Sequence, residues 1–454
     1  MRHTVSAAVV VLSLLGMGIT LALGAGGAGQ LDPLAQSAVE RHVYEATSQG
    51  RGWTHQGVWF QAGQSVLGEH QGTVPLPAAS LTKVATTLAA IRVWGPSHAF
   101  ATMLYATGPI HGGVLHGDLV VYGGADPFFL WEDAIQLGNT LHRLGLVRVA
   151  GRLVVVGDFH MNFVTDPIRA GEMLRKGMHA GRWPKGVLSS YSALPSGTPK
   201  PLLTITGPTQ AAAVLPEPLT PLVRHHSLPL VQILKRMNVH SNNAMATMLA
   251  YSLGGAGQMM SLVSQTAGIP PYELQLINGS GLGRDNQISP RAICAMFIAI
   301  QQLLRPARLT IADVFPTAGY DAGTIRRRQL PPLTIVKTGT LNGVSTLAGV
   351  MPTQQYGPVW FALLNQGGNL HALRDQQDFL LQYLQQFWGP VEVPLVDFAP
   401  TFVSLEETER DNILMQGQDM RVQEAYTRQG DERLSVRNGY TPEVRTKAVG
   451  RRRR

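Results

Sequence analysis

The sequence predicts an α+β protein in which an antiparallel sheet is flanked by helices and interrupted by an inserted α/β subdomain. Three observations carry this. Residues 333–340, 344–350 and 359–365 are apolar, β-branched runs joined by short turns, the pattern of an antiparallel meander. Around them, residues 290–304 and 375–387 place apolar side chains at helical spacing. Between residues 97 and 218 the pattern changes to alternating strand, helix and strand.

In chain order, Arg2 and His3 precede an apolar run over 5–23, followed by small residues to Ala28. That layout marks residues 1–28 as a signal peptide or an uncleaved membrane anchor, and it sends the rest of the chain to the periplasm or cell envelope. The main domain then covers 31–96 and 219–395. Its first part holds a helix over 34–44, strands over 57–61 and 65–67, and a helix that starts at Ser80 and stops near Gly95-Pro96. The inserted subdomain, 97–218, has strand candidates at 100–105, 117–122 and 152–158 and a helix at 134–144. Residues 165–221 are rich in Gly, Pro, Ser and Thr and read as loop, with 202–206 the best strand candidate there. The main domain resumes with helices over 227–237, from Ala244, and over 290–304, separated by a polar, Gly-rich connection at 277–286. From 396 to 454 the chain is polar and charged and ends in four arginines, which predicts a disordered tail.

A chain of 454 residues that is 44% hydrophobic and 15% charged is long enough for two ordinary domains, and it is neither fibrous nor disordered. The net charge of +8 owes much to the terminal arginines, so no nucleic-acid partner is expected. The one cysteine, Cys294, lies among Ala, Met and Phe at helical spacing, which reads as a buried small hydrophobe and argues against a cysteine protease. His225, His226 and His240 are too irregularly spaced for a metal site and read as loop residues. Gly123-Gly-Ala-Asp126 lacks the lysine of a phosphate loop and reads as a turn. No metal or cofactor is called for.

The chemistry centres on Pro77-Ala-Ala-Ser80-Leu-Thr-Lys83. Residues i and i+3 share a helix face, and a desolvated lysine can take the proton of a neighbouring serine. Taken alone, the pair is more often a capping serine and a surface lysine. Two further elements change that weighing: Ser241-Asn-Asn243 between two helices, and Lys337-Thr-Gly-Thr340 at the end of a strand. The ordered set of Ser-x-x-Lys, Ser-x-Asn and Lys-Thr-Gly is that of penicillin-binding proteins and class A β-lactamases. In such acyl transfer Ser80 is the nucleophile, Lys83 its base, and Ser241 relays a proton to the leaving nitrogen. Asn243 holds a substrate amide or Lys83. Lys337, with the Thr338 and Thr340 hydroxyls beside Gly339, anchors a substrate carboxylate. The Ser80 and Thr340 amides form the oxyanion hole.

Longer segments extend the match. Gly117-Asp-Leu-Val-Val-Tyr-Gly-Gly-Ala-Asp-Pro127, Gly279-Ser-Gly-Leu-Gly-Arg-Asp-Asn286, Ala318–Arg328 and Lys337–Ser345 together make the chain, from about residue 58 to 387, resemble the class C low-molecular-mass penicillin-binding proteins, the D-alanyl-D-alanine carboxypeptidase/endopeptidase family. The resemblance implies a β-lactamase-like transpeptidase domain. It also implies a substrate of peptidoglycan stem peptides ending in D-Ala-D-Ala, and inhibition by β-lactams. It further implies that Asp158 and Arg284 bind the diaminopimelate side chain. The bland readings of those two are a turn-forming aspartate and an arginine paired with Asp285. Several departures stand out. About 160 residues separate Ser80 from Ser241, fewer than in the family, so an inserted subdomain is reduced or missing. Asn278 and Gly283 replace an acid and a serine, and Asn242 replaces an aspartate. A β-lactamase would share the first half of the mechanism, and a catalytically silent wall-binding protein would share the fold.

Overall fold

The computed structural model describes residues 31–48, 52–401 and 410–414; the apolar leader and the terminal arginines lie outside them. The chain begins with helix α1 (Pro33–Thr47), whose N-terminus is capped by the Asp32 carboxylate, and strands β1 (Gln56–Ala62) and β2 (Ser65–His70). Helix α2 (Thr82–Trp94) follows. The insertion supplies β3 (Ala101–Ala106), β4 (Leu119–Gly124), α3 (Trp131–Arg143), β5 (Leu153–Asp158), α4 (Pro167–Gly177), β6 (Thr209–Ala212) and β7 (Thr220–His226). The main domain continues with α5 (Leu230–His240), α6 (Asn243–Ser252), α7 (Ala256–Ala267) and α8 (Pro290–Leu304). It closes with β8 (Ile335–Leu341), β9 (Val344–Thr353), β10 (Gly357–Gln366) and α9 (Leu370–Trp388); a short strand, β11 (Asp411–Ile413), comes last.

The main sheet runs β8-β9-β10-β1-β2 and is antiparallel throughout, as the meander predicted. Strand β10 explains why its sequence is continuously apolar rather than alternating. Trp360, Ala362 and Leu364 pack into one core with α2 and α8, while Val359, Phe361 and Leu363 pack into the other with α1 and α9. Side chains alternate sides with period two, so helices on both faces require hydrophobes at every position. Cys294 is fully buried in the α2–α8 core, as expected, and burial pushes its thiol well up.

The insertion is a six-stranded mixed sheet in the order β6-β5-β4-β3-β7-β11, with parallel pairs at β4–β5 and β5–β6. Three expectations need correction here. The insertion does not end at 218, because β7 pairs with β3 and Ser227 N–H donates to the Phe100 carbonyl, so it closes near residue 227. The stretch after Thr165 is not loop throughout. Helix α4 is capped by Asp166 and buries Ala170, Gly171 and Leu174 against the sheet, a short apolar face that its Gly and charged residues obscured. Nor is the chain after 396 wholly a tail. Val396–Phe398 forms a turn with the Phe398 ring against Trp360, and β11 adds an edge strand to β7.

What holds β11 is a buried charge cluster. His225, on β7 and fully buried rather than in a loop, sits 2.6 Å from Asp411 and 3.6 Å from Asp133, and Arg410 reaches Asp133 at 2.5 Å. Burial alone would lower the His225 pKa, but the two carboxylates prevail and push it up to about 9.

Candidate active site

Ser80 stands in a single 3-10 turn, Ala79–Leu81, that leads directly into α2 and is half-buried at the base of an open cavity. Ala79, just before it, has φ +49°, a left-handed conformation that L-residues with a Cβ seldom adopt. One turn on, Lys83 is completely buried, and its Nζ lies 3.0 Å from Ser80 Oγ. The other two neighbours of Nζ are carbonyl oxygens: Asn243 Oδ1 and the Ser280 main chain, each at 2.7 Å. Both are acceptors only. They fit the two N–H bonds of a neutral amine and leave its lone pair aimed at the Ser80 hydroxyl. Burial pushes the Lys83 pKa down to about 7, so about half the molecules carry that neutral amine at neutral pH.

Ser241 is the residue after α5, again left-handed at φ +53°, which swings its hydroxyl into the cavity instead of continuing the helix. Asn242 caps α6 by accepting from Met245 N–H at 3.0 Å. Asparagine serves this role as well as aspartate does, so the departure in the middle of the motif is absorbed locally. Asn243, the first residue of α6, then points at Lys83. Lys337 on β8 is fully buried behind Ser241, with Nζ 2.9 Å from Ser241 Oγ and 2.6 Å from the Thr338 carbonyl. Burial first, and the Lys83 charge second, push Lys337 well below the usual lysine range.

Two glycines let these elements meet. A Cβ at Gly339 would lie 2.2 Å from Thr346 Oγ1 and 2.9 Å from Ser80 N, so only glycine lets β8 lie against the nucleophile. Gly281, at φ +82°, backs onto the Ala79 carbonyl, where a Cβ would be 1.8 Å away. In the same loop Asn278 Oδ1 accepts from the Ser280 and Gly281 amides, and its Nδ2 donates to the Leu282 carbonyl. The side chain that replaces an acid is thus spent shaping the loop that presents the Ser280 carbonyl to Lys83.

The cavity has a volume of about 770 Å³ and is lined by Ser80, Ser241, Asn243, Thr338, Gly339 and Thr340. Six of the residues singled out in the sequence therefore converge on it, with Lys83 and Lys337 directly behind. Asp158 and Arg284 do not line it. Asp158 ends β5, where its carbonyl accepts from Ala125 N–H. Arg284 donates to Gln366 Oε1 and the Asn342 carbonyl, not to Asp285, and so ties its loop to the β8–β9 turn. The sequence reading missed the rest of the lining, formed by Thr324, Arg326, Arg327 and Arg328 and, from α9, His371, Arg374, Asp375 and Asp378. Three consecutive arginines were the available signal.

A family described as D-Ala-D-Ala carboxypeptidase 3 (S13) matches residues 50–162 and 204–387, roughly two thirds of the chain. The chain belongs to that family. The resemblance read from the motifs is thereby confirmed. Among curated relatives, the D-alanyl-D-alanine carboxypeptidase DacB of Haemophilus influenzae is 35% identical over 147 residues, 29% of this chain and 30% of the relative. The D-alanyl-D-alanine carboxypeptidase of an Actinomadura species is 30% identical over 186 residues, 37% of this chain and 34% of the relative. The matched stretch thus spans about a third of the length of these curated relatives.

Solved structures cover more. A predatory peptidoglycan endopeptidase of Bdellovibrio bacteriovorus superposes with a TM-score of 0.64 at 20% identity, over 76% of this chain and 96% of that one. Penicillin-binding protein 4 of H. influenzae, crystallised with a β-lactam, gives 0.56 at 21% identity, over 73% and 96%. The fold is therefore the penicillin-binding/β-lactamase-like one that the sequence predicted.

Proposed function

We propose that this chain is a serine-type D-Ala-D-Ala carboxypeptidase that trims peptidoglycan stem peptides through an acyl-enzyme on Ser80 and is acylated there by β-lactams. The observation that carries this reading is the Lys83 amine, buried, 3.0 Å from Ser80 Oγ and shifted to about 7. Neutral Lys83 takes the hydroxyl proton as Oγ attacks the carbonyl carbon of the penultimate D-Ala. The oxyanion forms between the Ser80 and Thr340 amides. As the C–N bond breaks, Ser241 Oγ–H gives its proton to the leaving amine, and Lys337, 2.9 Å away, replenishes it. The proton held by Lys83 returns to Lys337, and the neutral Lys83 amine then takes a proton from the water that attacks the ester; Ser80 Oγ regains that proton as the shortened peptide leaves.

Other support comes from the relatives. The two curated relatives are named D-alanyl-D-alanine carboxypeptidases, and the Bdellovibrio endopeptidase is known in a penicillin G-acylated form. The same centre can also cleave a cross-link, because a cross-link too presents a D-Ala carbonyl and a leaving amine. The apolar leader exports the protein to the periplasm or envelope; among the described residues no helix is long and apolar enough to cross a membrane. Direct binding of the diaminopimelate side chain by Asp158 and Arg284 is not part of this proposal, because neither lines the cavity.

The test is mass spectrometry of muropeptides after incubation with the full-length protein and its Ser80→Ala variant. Release of D-Ala, or of monomers from cross-linked dimers, by the wild type alone supports the proposal. Rapid penicillin turnover without any D-Ala release would assign the chain to the β-lactamases, and no fluorescent-penicillin label at Ser80 would make it a silent wall-binding protein. Among the described residues no glutamate lines the cavity to activate a deacylating water, which weighs against the first of these.

A further inference from the structure

The carboxylate of a D-Ala-D-Ala peptide needs a cation, and the structure gives Lys337 little access to it. Its ammonium is fully buried, occupied by Ser241 Oγ and the Thr338 carbonyl, and it does not line the cavity. The lining contributed by residues 324–328 and α9 is rich in guanidinium groups, which stay charged at any physiological pH. Arg328 is committed to a chelate on Asp378, with both groups 7% exposed. Arg326 and Arg327 are exposed and have no carboxylate within salt-bridge distance among the described residues. Arg374 is held at a specific place: its Nη2 donates to Thr340 Oγ1 at 3.0 Å.

That contact has a chemical consequence. Once the Thr340 oxygen accepts from Arg374, its O–H is left to donate, and the two side chains together offer donors to one carboxylate. The position is right as well. In the substrate the terminal carboxylate lies three bonds from the scissile carbonyl carbon, roughly 3–4 Å away. Thr340 carries both features, since its amide faces the oxyanion and its hydroxyl stands one side chain away. The residual charge also fits, because Arg326, Arg327 and Arg374 outnumber Asp375, the one lining carboxylate outside the Arg328–Asp378 chelate.

We propose that Arg374, seated on Thr340 and backed by Arg326 and Arg327, is the cation that binds the substrate's free C-terminal carboxylate and so determines specificity for a chain end. The proposal deepens the acyl-transfer reading of Ser80 and rests on it for the identity of the ligand. Lys337 then serves the proton relay, and the guanidinium supplies the anchor.

Two measurements on the full-length protein test this. The first is the rate of Ser80 acylation by benzylpenicillin and by its methyl ester, which lacks the carboxylate, in wild type, Arg374→Gln and Arg374→Lys. The acid-to-ester preference is expected to fall about 30-fold in Arg374→Gln, the scale of one charge-assisted hydrogen bond, and less in Arg374→Lys. The second is the affinity of a Ser80→Ala protein for a D-Ala-D-Ala peptide and for its C-terminal amide, with and without Arg374→Gln. The preference for the free acid should collapse in the same way. A preference kept within threefold of wild type in Arg374→Gln overturns the proposal, and so does equal loss toward acid and ester, which marks a merely structural residue. Absence of acylation in the wild type would instead overturn the Ser80 reading, and the binding measurement would still judge the carboxylate site on its own.

Discussion

Asn243→Asp is the sharpest perturbation of the proposed base. It replaces an amide oxygen 2.7 Å from Lys83 Nζ with a carboxylate of nearly identical shape. Two unit charges at that separation attract by about 6 kcal/mol at an effective dielectric of 20, and desolvation of the new carboxylate offsets part of this. A net rise of roughly two pKa units for Lys83 is the middle of the range seen for adjacent opposite charges. In the native protein, with the pKa at about 7, half of Lys83 is neutral at pH 7. At a pKa near 9 about 1% is neutral, so acylation at pH 7 should slow about 50-fold. The assay is the second-order rate constant for labelling by a fluorescent penicillin between pH 5 and 10. The acidic limb of the profile should move from near 7 to near 9, with the rate recovering above it. A slow variant whose limb stays near 7 would refute the reasoning, because Asn243 would then be holding substrate rather than keeping the lysine neutral.

Gly339→Ala should abolish labelling of Ser80 while leaving far-UV circular dichroism intact, since the new Cβ would lie 2.9 Å from Ser80 N and 2.2 Å from Thr346 Oγ1; normal labelling would mean that β8 can retreat. Lys83→Met should inactivate the protein yet raise its melting temperature at pH 7. A lysine held at about 7 instead of 10.5 costs folding free energy on the order of a few kcal/mol there, and the variant's advantage should vanish as pH approaches 10.5. His225, raised from 6.5 to about 9, stabilises the fold fully below pH 6.5, and up to about 3 kcal/mol of that is lost as pH rises through 9. His225→Gln should flatten this alkaline loss in urea melts, and it should expose the 410–414 segment to protease at pH 7, since the charge-paired partner of Asp411 and Asp133 is gone.

The legible parts of this protein are those whose signal is local. Strands β8 to β10 announced themselves because both faces of the sheet are covered and apolar and β-branched residues dominate their runs, and α8 was placed to the residue because Ser289 caps it and Pro290 opens it. The reacting residues were legible because their chemistry constrains residue type at short spacing. What stayed hidden is decided by contacts between residues far apart in sequence. Nothing near Asp411 says that it pairs with His225, 186 positions earlier. Nothing in Thr220–His226 says that it belongs to the insertion, because prolines at 218 and 221 imitate a boundary while the strand pairs onward with β3. Arg374 stood just ahead of the helix read over 375–387, and only the fold brings it to Thr340.

Two buried lysines, one of them further depressed by the charge of the other, are a poor way to stabilise a core, and their presence points to use. Neither is neutralised by a carboxylate; each is surrounded by hydroxyls and carbonyls, groups that solvate an amine in either protonation state. That environment lets a proton arrive and leave at little cost, whereas an ion pair would trap it. The same logic accounts for the left-handed Ala79 and Ser241, since each bends the chain so that a hydroxyl faces a lysine instead of a helix continuing. The cavity's lining cations, by contrast, are arginines, which do not titrate at physiological pH. A division between lysines that exchange protons and arginines that hold anions keeps the carboxylate anchor constant through the catalytic cycle, because the charge that binds the substrate is not the charge that moves.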